Sequence, residues 1–169
     1  MNATPKLARI HHAAIICSDY AVSKRFYSEV LGLRIVAEHL RAERNSYKLD
    51  LALPDGSQLE LFSFPDPPAR VSRPEARGLR HLAFEVPDVR AAAEALEAHG
   101  VAVEPIRVDE YTGRRFTFFA DPDGLPLELY EASCEGPIGC FGCSPGEVLR
   151  DWKSPNPQST QDPDPDEHP

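Results

Sequence analysis

Residues 10–33 read IHHAAIICSDYAVSKRFYSEVLGL, and residues 78–101 read GLRHLAFEVPDVRAAAEALEAHGV. His12 and Asp19 of the first string stand 69 positions before His81 and Asp88 of the second. Further on, Pro54-Asp55-Gly56 and Glu60 stand 68 positions before Pro122-Asp123-Gly124 and Glu128, so one residue is lost between the two blocks. A chain that matches itself at a fixed offset is one supersecondary unit used twice, and the repeat fixes the architecture before any single element is assigned. It also nominates His12, Glu60, His81 and Glu128, at corresponding places, as metal ligands.

Each copy spells the same order of elements. Residues 10–17 form a short apolar run of strand length, in which pleated alternation puts His12, Ala14 and Ile16 on one face and His11 on the other. Ser18 or Asp19 can cap a helix whose Val22, Phe26 and Val30 recur at helical spacing, and Gly32 stops it. Strands are predicted over 33–39, 47–52 and 58–64, the last two joined by the Pro54-Asp55-Gly56 turn, which gives a βαβββ module. In the last strand Glu60 is the one carboxylate between largely apolar faces. Residues 65–78, rich in proline and charge, read as an extended linker. The module then restarts: a strand over 79–86 carries His81, Asp88 caps a helix ended by Gly100, and strands follow over 101–106, 115–119 and 125–131. Residues 107–114 are left as a polar loop of the kind found at a pocket mouth. The fold class is therefore α+β, one domain over 8–131 made of module one (8–64), the linker and module two (79–131).

Bulk properties narrow the function. The chain has 169 residues, 41% of them apolar and 27% charged, with a formal net charge of -9. That charge argues against nucleic acid, whose phosphates need a clustered basic surface. No run approaches the length of a membrane helix and no signal peptide precedes Ile10, so a cytoplasmic location is expected. Residues 132–169 hold seven prolines and seven acids against two bases, a composition expected to stay mostly disordered. Cys134, Cys140 and Cys143 lie in that tail and offer three thiolates where a structural zinc takes four ligands, so a flexible or redox-sensitive tail is the plainer reading.

Two imidazoles and two carboxylates suit Zn, Ni, Co, Mn or Fe(II), one ion per site. They converge if the modules pack about a pseudo-twofold axis. Four protein ligands leave two positions for water or a bidentate substrate, so the ion can act as a Lewis acid and a glutamate can serve as both ligand and base. Arg44, Tyr111, Arg114 and Arg115 are candidates for reading a substrate carboxylate or phosphate at the pocket mouth, with solvated loop charge as the plain alternative.

The two opening strings, with LALPDGSQLELFSFP (51–65) and RRFTFFADPDGLPLELYE (114–131), resemble the vicinal oxygen chelate superfamily. That superfamily includes glyoxalase I, bleomycin- and fosfomycin-resistance proteins and extradiol dioxygenases, and the resemblance is to its small bacterial glyoxalase-like members. It implies a curved mixed-sheet cup around one divalent ion held by His12, Glu60, His81 and Glu128, in the four-ligand arrangement of glyoxalase I. It further implies a lyase or isomerase that shifts a proton through an enediolate on a vicinal-oxygen substrate such as the hemithioacetal of methylglyoxal and a thiol. Glu128 is then the base and Glu60 the ligand and partner. Glutathione-binding residues of glyoxalase I have no matching motif here. The alternatives are an Fe(II) dioxygenase, which four ligands make harder than three, and a non-catalytic small-molecule binder of the bleomycin-resistance type. The expected partners are a small molecule and a second copy of the chain, with pairing of modules within or between chains left open.

Overall fold

The structure, a computed structural model, describes residues 4–133. Module one runs β1 (His12–Cys17), α1 (Tyr20–Arg25), β2 (Arg34–Arg41), β3 (Ser46–Ala52) and β4 (Gln58–Ser63). Module two runs β5 (Leu82–Val86), α2 (Val89–Ala98), β6 (Arg107–Val108), β7 (Arg115–Ala120) and β8 (Pro126–Glu131). Each module closes its own four-stranded sheet, in the orders β1-β4-β3-β2 and β5-β8-β7-β6. First and last strands pair parallel and the rest antiparallel, so both sheets are mixed. The duplicated βαβββ architecture is thus present, as two sheets. Among the described residues no helix is long and apolar enough to cross a membrane. The tail with Cys134, Cys140 and Cys143 lies outside the described residues.

The caps fall where the sequence placed them. Asp19 and Asp88 accept backbone N–H groups in the first turns of α1 and α2. Gly32 and Gly100 have φ of 68° and 79°, the left-handed geometry that ends a helix without a Cβ clash. Between Arg25 and Gly32 the helix widens into a π-turn over Phe26–Val30, with Leu31 N–H reaching back to the Phe26 carbonyl. The extra residue shifts the phase of the buried face. Tyr27 becomes fully buried while Val22, expected on the core side, is 50% exposed.

Three predicted strands differ from what forms. Strand β5 begins at Leu82, so His81 sits just before it rather than inside it. The strand expected over 101–106 reduces to one bridge, Val103 to Phe119, and the ladder resumes as β6 at Arg107–Val108, within the expected loop. Pro105 explains the break, since it has no N–H to donate. Strand β2 runs two residues beyond His39, to Arg41.

The sheets and helices share one core. Leu49, Leu51 and Leu61 of module one and Val89 and Leu127 of module two are fully buried in a single cluster. Each contributes about 1.5–3 kcal/mol of burial. Polar contacts fasten the same seam: Tyr27 Oη donates to Asp121 Oδ2 at 2.9 Å, and the Ser18 backbone and hydroxyl both donate to Asp123. Asp121 also accepts from the N–H groups of Asp123 and Leu125. Burial raises the Asp121 carboxyl above its ordinary value, and the donors only partly offset this. As pH rises through the raised value the folded state loses the proton it held more tightly than the unfolded chain, so this group costs stability at neutral pH and that cost disappears in acid. Tyr27→Phe removes a donor to the ionised form. It should lower stability by about 1–3 kcal/mol at pH 7, with a smaller loss once Asp121 is protonated, measured by urea unfolding at both pH values.

Candidate functional site

Alternation in the strands decides which residues share a face. In module one the residues opposite one another are His12 and Gln58, Ala14 and Glu60, Ile16 and Phe62 on β1 and β4, and Phe62 and Lys48, Glu60 and Asp50 on β4 and β3. Their neighbours Ile15, Leu59, Leu61, Leu49 and Leu51 go into the core, so the face with His12 and Glu60 is turned away from it. In module two the same construction puts Ala83, Glu128 and Phe118 in one row and Glu85, Tyr130 and Phe116 in the next, with Leu127, Leu129 and Phe119 buried behind.

On these two faces histidine meets glutamate at equivalent points. His12 Nε2 faces Glu60 Oε2 at 3.8 Å, and His81 Nε2 faces Glu128 Oε2 at 3.1 Å. The other nitrogen of His12 contacts His11 Nδ1 at 3.0 Å. His81 Nδ1 is buried with no hydrogen-bond partner among the described residues. A histidine kept for packing alone would have its buried nitrogens satisfied, because an unpaired one costs desolvation energy. Each pair supplies one borderline nitrogen and one hard oxygen, the donor types of a divalent transition metal. Neither pair has a third protein donor: among the described residues no three of His, Cys, Asp and Glu gather closely enough to hold one ion. The four predicted ligands therefore come together as two halves, and the shared core that joins the modules keeps the halves on separate sheets.

The halves are chemically unlike. Glu60 Oε1 accepts from Lys48 Nζ at 2.9 Å, and Lys48 also binds Asp50, which with Glu60 holds its ammonium above the ordinary value. Where module one has Lys48 and Asp50, module two has Phe116 and Phe118. Phe118 packs edge-on to His81 at 5.3 Å, and Glu128, only 8% exposed, has no lysine or arginine paired to it among the described residues. Glu60 is fixed by a cation, and Glu128 lies among aromatic rings.

Two cavities open along the module-two face. One of 560 Å³ is walled by His81, Phe118 and the linker, and one of 390 Å³ by Glu128, Tyr130, Phe116 and the Asp109–Tyr111 turn. Tyr130 Oη donates to Asp109 and contacts Thr112 Oγ1, which ties that loop to the face. Tyr111 lines the second cavity and is 89% exposed. The predicted arginines fall elsewhere: Arg44 ends an exposed 3-10 turn, Arg114 is half-buried beside the loop, and Arg115 pairs with Glu131 at 3.6 Å. None of the three lines either cavity. Of the arginines that do, Arg70, Arg73 and Arg80 lie in or just after the stretch whose prolines read as a spacer, and Arg107 begins β6. The recurrence of arginine at 70, 73, 77 and 80 was the available signal.

Comparison with known proteins bears on the family and the fold. Residues 9–129 match the family described as the Glyoxalase/Bleomycin resistance protein/Dioxygenase superfamily. The uncharacterised protein YaeR of Escherichia coli (strain K12) is 62% identical over 125 residues, covering 74% of this chain and 97% of the relative. The crystal structure of SMU.1112c is 48% identical with a TM-score of 0.72, covering 75% of this chain and 100% of that one. More distant are 2-epi-5-epi-valiolone epimerase from an Actinomyces species, 32% identical over 79% of this chain and 85% of the relative. Lactoylglutathione lyase of Pseudomonas aeruginosa is 28% identical over 76% of this chain and 85% of the relative.

Proposed function

This chain belongs to the glyoxalase, bleomycin resistance protein and dioxygenase superfamily, and from that premise we propose that it is a metal-dependent isomerase or lyase whose centre is completed by two copies of the chain. The observation that carries the reading is the equivalent facing of His12 on Glu60 and His81 on Glu128, each on a sheet face turned from the core. One copy supplies the first pair and its partner the second, so a dimer has two identical centres. The exposure of Ile16, 56% on the His12 face, supports burial of that face by another molecule.

A divalent ion, zinc or nickel foremost with cobalt, manganese and iron(II) within the same donor preferences, would be held by His12, Glu60, His81 and Glu128 and would supply Lewis acidity to two adjacent substrate oxygens. The protein's own groups divide the remaining work. Lys48 engages one oxygen of Glu60 and leaves the other turned to His12, which fixes Glu60 as a ligand. Glu128, with no such cation among the described residues, is the base. It takes the carbon-bound proton of a 2-hydroxy-carbonyl substrate and returns it to the neighbouring carbon, while the hydroxyl proton passes to the neighbouring oxygen. The shift is redox-neutral and consumes no oxidant. Phe116 and Phe118 keep water from the exposed carbanion face and strengthen the electrostatics there.

The hemithioacetal of methylglyoxal fits this chemistry, and the name of the Pseudomonas aeruginosa relative supports it as the first substrate to try. The test is metal analysis of the purified protein followed by a methylglyoxal assay with and without glutathione. One ion per chain and chelator-sensitive turnover are expected. A metal-free protein that binds ligands without turnover, or turnover that consumes dioxygen, would overturn the reading in favour of a binder or an oxygenase.

A further inference from the structure

Four arginines, Arg70, Arg73, Arg80 and Arg107, are among the residues lining the 560 Å³ cavity that also holds His81, against two acidic residues, Glu75 and Glu104. In a chain of net charge -9 this is a local reversal of sign beside a predicted ligand. We propose that this cavity takes an anionic tail of the substrate, a phosphate or carboxylate carried beyond the two vicinal oxygens; the inference rests on the function proposed above for the His81 face.

The four arginines differ in what they are free to do. Arg70 braces the wall: its guanidinium donates to the carbonyls of Leu79 and Arg80 and to Ser72 Oγ, partners that use its hydrogens and leave its charge uncompensated. Arg107 is paired with Glu104 at 2.8 Å and lies over Phe116 and Phe118, 5.0 and 5.5 Å from their ring centres. Phe118 in turn packs against His81, so Arg107 is set one aromatic ring away from the ligand. Arg73 and Arg80 are exposed and have no side-chain partner among the described residues. Their forks are the ones available to an incoming anion, and arginine matches phosphate and carboxylate geometry with two parallel hydrogen bonds. On the module-one face Lys48 is already neutralised by Asp50 and Glu60, and Arg41 lies over Phe62 at 5.7 Å. The substrate would therefore lie with its vicinal oxygens toward the histidines and its charged end under the linker.

Calorimetric titration of the purified, metal-loaded full chain tests this with two pairs of probes: dihydroxyacetone phosphate against dihydroxyacetone, and 3,4-dihydroxybutanoate against 1,2-butanediol. Each pair keeps the vicinal oxygens and differs in the tail, and the two pairs distinguish phosphate from carboxylate. At least one charged probe should bind about tenfold or more tightly than its neutral partner. The difference should shrink with added salt, vanish in Arg73→Ala/Arg80→Ala, and survive in Arg77→Ala, which removes the same charge from outside the cavity. Equal affinity within both pairs, no binding of either charged probe, or a preference that persists in the double variant would overturn the proposal. His81→Ala separates this from the function itself: it should weaken charged and neutral probes alike while preserving their ratio. If His81→Ala changes neither probe, the vicinal-oxygen reading fails and the charge preference stands or falls on the arginines alone.

Discussion

Glu128→Gln should reduce turnover of the methylglyoxal hemithioacetal by about a thousandfold, within the span that a positioned general base contributes. Glutamine keeps the shape of the side chain, its oxygen can still accept from His81 and its amide still fits beside Phe118, so folding should be unaffected. What is lost is the capacity to hold a proton. The parallel change, Glu60→Gln, should act differently, because Lys48 binds Glu60 and the neutral amide would break that pair and leave Lys48 with Asp50 alone. Glu60→Gln is expected to show mainly in metal affinity, and Glu128→Gln mainly in kcat. Full activity in Glu128→Gln with metal retained would remove this residue as the base, and metal content measured beside the kinetics separates the two roles.

Mixing the two variants, at a metal concentration at which Glu60→Gln alone is metal-free and inactive, should restore activity. If each centre draws His12 and Glu60 from one copy and His81 and Glu128 from the other, a dimer of Glu60→Gln with Glu128→Gln concentrates both changes in one centre and leaves the second intact. Random reassortment makes half the dimers mixed, each with one working centre of two, so about a quarter of the wild-type rate should return. Co-expression of the two differently tagged chains, with purification on both tags, raises the expected value to about half. A centre built within one chain gives no recovery under either protocol. The separation of the two pairs onto sheets that bury their other faces in a common core is the reason to expect recovery.

Much of the fold was legible because the repeat makes each weak signal appear twice. Asp19 and Asp88, Gly32 and Gly100, and the two Pro-Asp-Gly turns act through local geometry, and local geometry is what a short stretch of sequence encodes. The errors came where a local preference met a constraint from elsewhere. Pro105 interrupts an otherwise apolar run, and the π-turn at Phe26–Val30 rotates Tyr27 into contact with Asp121, a residue 94 positions away. Neither periodicity nor capping carries information about that distant partner. Arg70, Arg73 and Arg80 were missed at the cavity for the same reason: a proline-rich stretch gives no sign of which surface it will lie against.

The sequence by itself determined that there are two βαβββ modules, each with one histidine at its first strand and one glutamate on its last, because the repeat and the alternation along a strand are local properties of the chain. Which residues of the two strands share a face was decided by their pairing. Only the tertiary structure decided that the modules join through their helices and inner faces, with Tyr27 and Asp121 at the seam. The physical reason is the burial of leucine, valine and phenylalanine, which is non-directional and chooses among packings by total area rather than by any one residue. That choice turns both histidine–glutamate faces outward and leaves two half-sets of donors in every chain.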